Sequence, residues 1–107
     1  MSYDRGLAER VDDVLKRMSV RGARQKNVFG GGGFLLGESA FVIVWDDGLI
    51  VKCSPSEYQE ALASAHVEPF APDGEKPMST WVVVAGDAIA DDPELEEWLG
   101  RGMRALR

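Results

Sequence analysis

Ala40-Phe41-Val42-Ile43-Val44-Trp45-Asp46-Asp47-Gly48-Leu49-Ile50-Val51-Lys52-Cys53 decides the fold. Two runs of β-branched and aromatic residues flank Asp46-Asp47-Gly48, a strong hairpin signal. Two turns fit. A two-residue turn at Asp47-Gly48 pairs Trp45 with Ile50 and Ile43 with Lys52. A three-residue loop, with Gly48 left-handed at a bulge, pairs Trp45 with Leu49, Ile43 with Val51 and Phe41 with Cys53. Side chains alternate along a strand, so a one-residue slip sends each of them to the other face. The three-residue loop is preferred because it keeps Lys52 off the face of Phe41, Ile43 and Trp45. The opposite face then holds Val42, Val44, Ile50 and Lys52. It is too apolar for an open, solvated sheet and calls for cover by another segment or another chain.

The chain has 107 residues, 45% of them apolar. That length indicates one domain spanning 1–107, able to bury about two thirds of its unfolded surface. No apolar run approaches the roughly 20 residues of a membrane span. The start, Met1-Ser2-Tyr3-Asp4-Arg5-Gly6, lacks the apolar centre of a signal peptide. A single cysteine, Cys53, excludes an intramolecular disulfide. These features point to a bacterial-type cytoplasmic protein. The net charge of −6 is segregated. Residues 1–26 carry seven Lys/Arg against four Asp/Glu, residues 27–100 two against fourteen, and residues 101–107 three against none. The acidic bulk disfavours nucleic-acid binding, while the basic ends allow a local patch.

Outward from the hairpin, the spacing of Leu7, Val11, Val14, Leu15 and Met18 predicts a helix over Asp4–Met18, capped by Ser2 or Asp4 and ended near Gly22. Ala23–Phe29 reads as a strand. Gly30 to Gly33, between Phe29 and Phe34, reads as a flexible or bulged β-turn. It lacks the Gly-Lys-Ser/Thr ending and following helix of a phosphate loop. A second strand begins at Phe34–Leu36, with Gly37-Glu38-Ser39 bulging or interrupting it. Ser54-Pro55-Ser56-Glu57 is a helix start, with Ser54 as cap and Glu57 completing a capping box; Tyr58, Ala61, Leu62 and Ala65 form the stripe behind it. Val67–Phe70 is an edge strand because of Pro69. Pro72-Asp73-Gly74 is a turn, and Ser79–Ala85, apolar on both faces, is an interior strand. Asp92 caps a last helix with Pro93 inside it, Leu95, Trp98, Leu99, Met103 and Leu106 on its apolar stripe, and Arg101, Arg104 and Arg107 toward its negative end. The order is α-β(3)-α-β(2)-α. It predicts a two-layer α+β sandwich, a mostly antiparallel five-stranded sheet with helices on one side.

No catalytic constellation emerges. His66 and Cys53 stand without a nucleophile–base–orienter pattern; Cys53 reads as a small buried residue and His66 as the end of the second helix. Asp46-Asp47 and Asp91-Asp92 read as turn and cap residues. The spacing of His, Cys, Asp and Glu suits no zinc site, and no cofactor motif is present. The candidate sites are therefore surfaces. Val42, Val44 and Ile50, with alternate residues of Trp81 to Val84, form the second apolar sheet face; Lys76, Met78 and Trp81 form an adaptable loop beside it. Both point to a protein partner or a homodimer. Arg21, Arg24, Lys26, Arg101 and Arg104 form the alternative, a nucleic-acid contact, provided that they converge in space. A small ligand at the glycine tract is the weakest reading.

The ordered motifs resemble the TfoX N-terminal domain family, named for a bacterial competence regulator also called Sxy. The resemblance rests on Lys26-Asn27-Val28-Phe29-Gly30-Gly31 followed by Phe34, on Asp47-Gly48-Leu49 followed by Pro55-Ser56-Glu57-Tyr58, on Gly74-Glu75-Lys76-Pro77-Met78-Ser79-Thr80-Trp81-Val82, and on Leu95 to Trp98. It covers nearly the whole chain. It implies a secretion-chaperone-like two-layer α+β fold and a non-enzymatic module of competence or transcription regulation acting through protein contacts. No family catalytic residues carry over. The named regulators also have a second, C-terminal domain, which residues 1–107 do not include.

Overall fold

The computed structural model describes residues 3–28, 30–71, 74 and 80–106. Helix α1 (Arg5–Arg17) starts where Asp4 turns extended and its Oδ1 accepts a hydrogen bond from the Leu7 N–H at 3.1 Å. Its stripe of Leu7, Ala8, Val11, Val14 and Leu15 is buried. Ser19 and Gly22, both left-handed, lead the chain away. Six strands follow: β1 (Ala23–Val28), β2 (Gly31–Leu36), β3 (Ser39–Trp45), β4 (Gly48–Lys52), β5 (Val67–Pro69) and β6 (Trp81–Val84). Helix α2 (Pro55–Leu62) separates β4 from β5. A short 3-10 turn (Gly86–Ile89) then leads to helix α3 (Asp92–Arg104). The strand order is β1-β2-β3-β4-β6-β5 and every neighbouring pair is antiparallel.

The α+β class and the antiparallel sheet are as expected, with six strands in place of five. Gly37, at φ 63°, and Glu38 make a two-residue turn that pairs Leu36 with Ser39. What reads in sequence as one interrupted strand is thus a hairpin. The edge position of β5 and the interior position of β6 match their composition.

The central hairpin adopts neither expected register. Trp45 pairs with Gly48, Val44 with Leu49, Ile43 with Ile50 and Val42 with Val51. The two turn residues are Asp46 and Asp47, and Asp46 takes the left-handed conformation at φ 51°. Gly48 lies in β4, where a Cβ would strike the Val84 carbonyl across the sheet. The N-terminal segment is fastened there too, by the Asp4 N–H donating to the Asp46 carbonyl at 2.9 Å.

This register corrects the assignment of faces. The helices cover the face of Val42, Val44, Leu49, Val51 and Cys53, which pack with Leu7, Val11, Leu15, Leu95 and Leu99. Phe41 joins them because β3 bulges opposite Phe34/Leu35, which places two successive side chains, Phe41 and Val42, on one side. Val42 and Val44 are fully buried beneath the helices and belong to no outer surface. Ile43 and Trp45 lie on the other face. Helix α3 comes close to the sheet at Gly102, where a Cβ would sit 2.6 Å from the Phe41 carbonyl oxygen.

Three local readings also change. Gly31 to Gly33 are strand residues, and only Gly30 of the tract is left-handed. Neighbouring side chains occupy the space above them: a Cβ on Gly32 would meet the Tyr3 ring at 2.9 Å, one on Gly33 the Val28 methyl at 2.5 Å, and one on Gly31 the Ile43 methyl at 2.8 Å. Ser54 stands at the N-cap of α2 but makes no side-chain capping bond; its hydroxyl lies 3.2 Å from that of Ser56. The N-cap of α3 is Asp91, and Asp92 is the first helical residue. The expectations placed on Ser2, Phe29, Pro72, Asp73, Lys76, Pro77, Met78, Ser79 and Arg107 lie outside the described residues.

Candidate functional site

The face of the sheet opposite the helices carries a second apolar cluster. Strand alternation brings Val28, Ile43, Trp45, Ile50, Trp81 and Val83 to this side, and Phe70 joins them just beyond β5. Ile43 and Ile50 are fully covered and Phe70 nearly so, while Val28, Trp45, Trp81 and Val83 are half-buried. The Trp45 and Phe70 rings meet edge to face, 6.3 Å between centroids at 64°. Phe70 is held in line by its N–H donating to the Trp81 carbonyl at 3.0 Å. Gly31 leaves room for the Trp45 ring, from which a Cβ there would stand 3.4 Å, and Gly33 leaves room for the Val28 methyl.

The register places one complete row across this face: Lys26, Gly33, Ile43, Ile50, Val83 and Glu68. Its ends are exposed and of opposite charge, with Lys26 on edge strand β1 and Glu68 on edge strand β5. Of the side chains expected here, Ile50 and Trp81 are present. Val42 and Val44 are replaced by Ile43 and Trp45, a consequence of the one-residue slip. Phe70 and Glu68 were missed. The run Val67–Phe70 was legible as an edge strand, but its pairing with β6 is non-local and leaves no signal in sequence.

The five basic residues do not form one patch. Arg101 and Arg104 belong to the helical layer. Arg104 donates to Glu57 through Nε and Nη2, both at 2.9 Å, and this pairing holds the Glu57 carboxyl below its usual range. Arg101 is buried, its guanidinium carbon 4.9 Å from the Trp98 ring centroid, with Glu60 at 3.5 Å, Glu97 at 3.6 Å and Glu57 at 3.8 Å. Arg24 and Lys26 are exposed on β1 and face away from that layer, and Arg24 donates to the Gly37 carbonyl at 2.8 Å. Arg21 is exposed before β1.

A cleft of about 400 Å³ lies over Trp98 and Arg101, walled by His66, Asp87, Asp91, Glu94 and Glu97. Arg101 serves there as the tie between α2 and α3. Among the described residues no three His, Cys, Asp or Glu side chains gather as a metal site would require. Cys53 is buried in the helical core, and burial pushes its thiol above the usual range. His66 lies beyond the end of α2, left-handed at φ 65°, its carbonyl accepting from the Ala85 N–H at 2.9 Å. Among the described residues no helix is long and apolar enough to cross a membrane.

The family model of the TfoX N-terminal domain matches residues 16–106. The chain belongs to the TfoX N-terminal domain family. Comparison with curated proteins and with solved structures finds no match. Several described residues of the TfoX motifs have structural explanations in this fold. Gly48 of Asp47-Gly48-Leu49 allows β4 to approach the Val84 carbonyl. Pro55 opens α2, and Glu57, immediately before Tyr58, is the carboxylate that grips Arg104. Trp81 lies on the second sheet face, and Trp98 supports Arg101.

Proposed function

We propose that this TfoX N-terminal domain is a non-enzymatic regulatory module that works by protein–protein contact through the sheet face opposite the helices. One observation carries this reading. That face presents a contiguous apolar patch, half-buried Val28, Trp45, Trp81 and Val83 around a covered centre of Ile43 and Ile50, and among the described residues no helix packs on it. Paired aromatic and branched side chains rimmed by charges are what a protein interface uses. Membership of a family named for a competence regulator supports the regulatory role. The cytoplasm is the compartment this role requires.

Affinity capture from native cytosol at low salt, with and without nuclease, tests the proposal. Wild-type protein and Trp81→Ala are compared after equal unfolding temperatures are verified. Retained proteins that resist nuclease and are lost with Trp81→Ala are expected. A catch unchanged by the substitution overturns the assignment of the face. A catch that disappears with nuclease transfers the role to the exposed cations Arg21, Arg24 and Lys26.

A further inference from the structure

We infer that the cleft over Trp98 and Arg101 is a second interaction site, on the helical layer, and that its occupant is a basic peptide segment. A lysine or arginine side chain of that segment lies against the acidic wall, and a main-chain carbonyl accepts from Arg101. The site is apart from the open sheet face and does not depend on the reading of that face.

The acidic wall is built largely by one stripe of α3. Glu94, Glu97, Trp98 and Arg101 recur at steps of three and four residues, with Asp91 at the cap before them. The 3-10 turn adds Asp87. Four carboxylates thus share the cleft with one guanidinium, and the other lining residues, Ser64, Ala65, His66, Ala88, Ala90 and Trp98, carry no formal charge at pH 7. Asp87, Asp91 and Glu94 are exposed and make no ion pair among the described residues. Unpaired carboxylates gathered in a concave wall attract a cation.

The second observation is independent of this charge. Arg101 is only 8% exposed, yet its guanidinium is poorly met. Its Nε is buried without an acceptor. Its carboxylate contacts, 3.5 Å to Glu60, 3.6 Å to Glu97 and 3.8 Å to Glu57, exceed the roughly 2.7–2.9 Å of a charge-assisted hydrogen bond. Nη1 takes the contacts to Glu57 and Glu60 on the α2 side, whereas Nη2 has only Glu97, which lines the cleft. Nη2 is therefore the end turned to the cleft, and unlike Nε it is not sealed from solvent. A donor held this way lacks an acceptor that a ligand can bring.

The occupant must answer both demands at once. A phosphate or other anion would suit Arg101 but be repelled by four carboxylates. A polyamine would suit the carboxylates but bring no acceptor. A free carboxylate on Arg101 would stand among Glu57, Glu60 and Glu97, so a neutral carbonyl is the acceptor that fits. A peptide with a basic side chain carries the carbonyl and the cation together. The volume of about 400 Å³ lies within the range of small-ligand sites. From Asp91 to Arg101 the helix rises about 15 Å, the length of four or five extended residues.

Fluorescence anisotropy of a labelled, amidated pentapeptide, with two lysines and an arginine between glycines, tests this on the full chain at low and at near-physiological salt. Saturable binding that weakens with salt is expected. Asp87→Asn with Glu94→Gln should weaken it about three- to tenfold. Asp13→Asn with Glu38→Gln removes the same charge from exposed positions outside the cleft and should change it by less than about twofold. Circular dichroism verifies that both pairs fold as the parent does. Spermidine, which has comparable charge and no carbonyl, should compete at least about fivefold more weakly than unlabelled peptide. No binding up to millimolar peptide overturns the proposal. Equal loss with the two variant pairs overturns it too, since the attraction then belongs to the whole acidic surface. Spermidine competing as well as the peptide removes the carbonyl contact and refutes the peptide as occupant.

Discussion

Two glycines of α3, two residues apart, should respond to alanine in opposite directions. Alanine in a helix interior is favoured over glycine by about 1 kcal/mol. At Gly100 the added methyl would meet only the Arg104 Nη1 at 3.3 Å, the far end of a flexible side chain. Gly100→Ala should therefore stabilise by roughly 0.5–1 kcal/mol. At Gly102 the same methyl would lie 2.6 Å from the Phe41 carbonyl oxygen and 3.1 Å from its ring. Neither can yield alone, since Phe41 is fully buried at the bulge of β3. The helix must retreat by roughly 0.5–1 Å to reach ordinary contact, loosening the layer that Leu95 and Leu99 fill. Overpacking of this kind costs about 1–3 kcal/mol, which outweighs the propensity gain. Gly102→Ala should thus lose up to about 2 kcal/mol net. Urea unfolding followed by tryptophan fluorescence measures both, and each kcal/mol moves the melting temperature by about 4–8 °C in a chain of this size. If Gly102→Ala proves as stable as Gly100→Ala, the close seating of α3 on the bulge is wrong.

Three further outcomes follow from single groups. Arg17 at 2.7 Å and Arg10 at 3.0 Å hold the Asp92 carboxyl below its usual range and tie α1 to α3. A depressed carboxyl adds stability above its unfolded pKa of about 3.9 and loses it as pH falls through the folded value. Asp92→Asn should lower stability at neutral pH and flatten the acid limb of a stability–pH curve below about pH 4; a parallel limb would refute the tie. Ser54→Ala should change stability by less than about 0.5 kcal/mol, not the ~1 kcal/mol of a lost cap, because its side chain caps nothing. Cys53 should react with a thiol reagent only as the protein opens, so its labelling rate should rise with urea in step with unfolding; fast labelling of native protein would place the thiol outside the core.

Much of the fold was legible because its signals are local. Asp4 and the four-residue spacing of Leu7, Val11 and Val14–Leu15 specify α1 without reference to anything else. The same holds for Pro55 and Pro93 at the starts of α2 and α3, and for Pro69 confining β5 to an edge. The α+β class follows from the order of these elements. The candidate site was half legible: Ile50 and Trp81 were placed on the open face, Val42 and Val44 were not.

What the sequence alone determined, then, is which segments are helix or strand and that one sheet has two apolar faces. What only the tertiary structure decided is which side chains lie on each face. Asp46-Asp47-Gly48 offers several turns that differ by one residue, and local preference puts the glycine in the turn. In the folded chain Gly48 is needed elsewhere, against the Val84 carbonyl of a strand more than thirty positions away, and Asp46 takes the left-handed position instead. Gly31 to Gly33 follow the same rule: Tyr3, Val28 and Ile43 fill the space above them, so a tract that reads as a turn becomes a strand. A glycine records that something comes close; only the assembled sheet shows what.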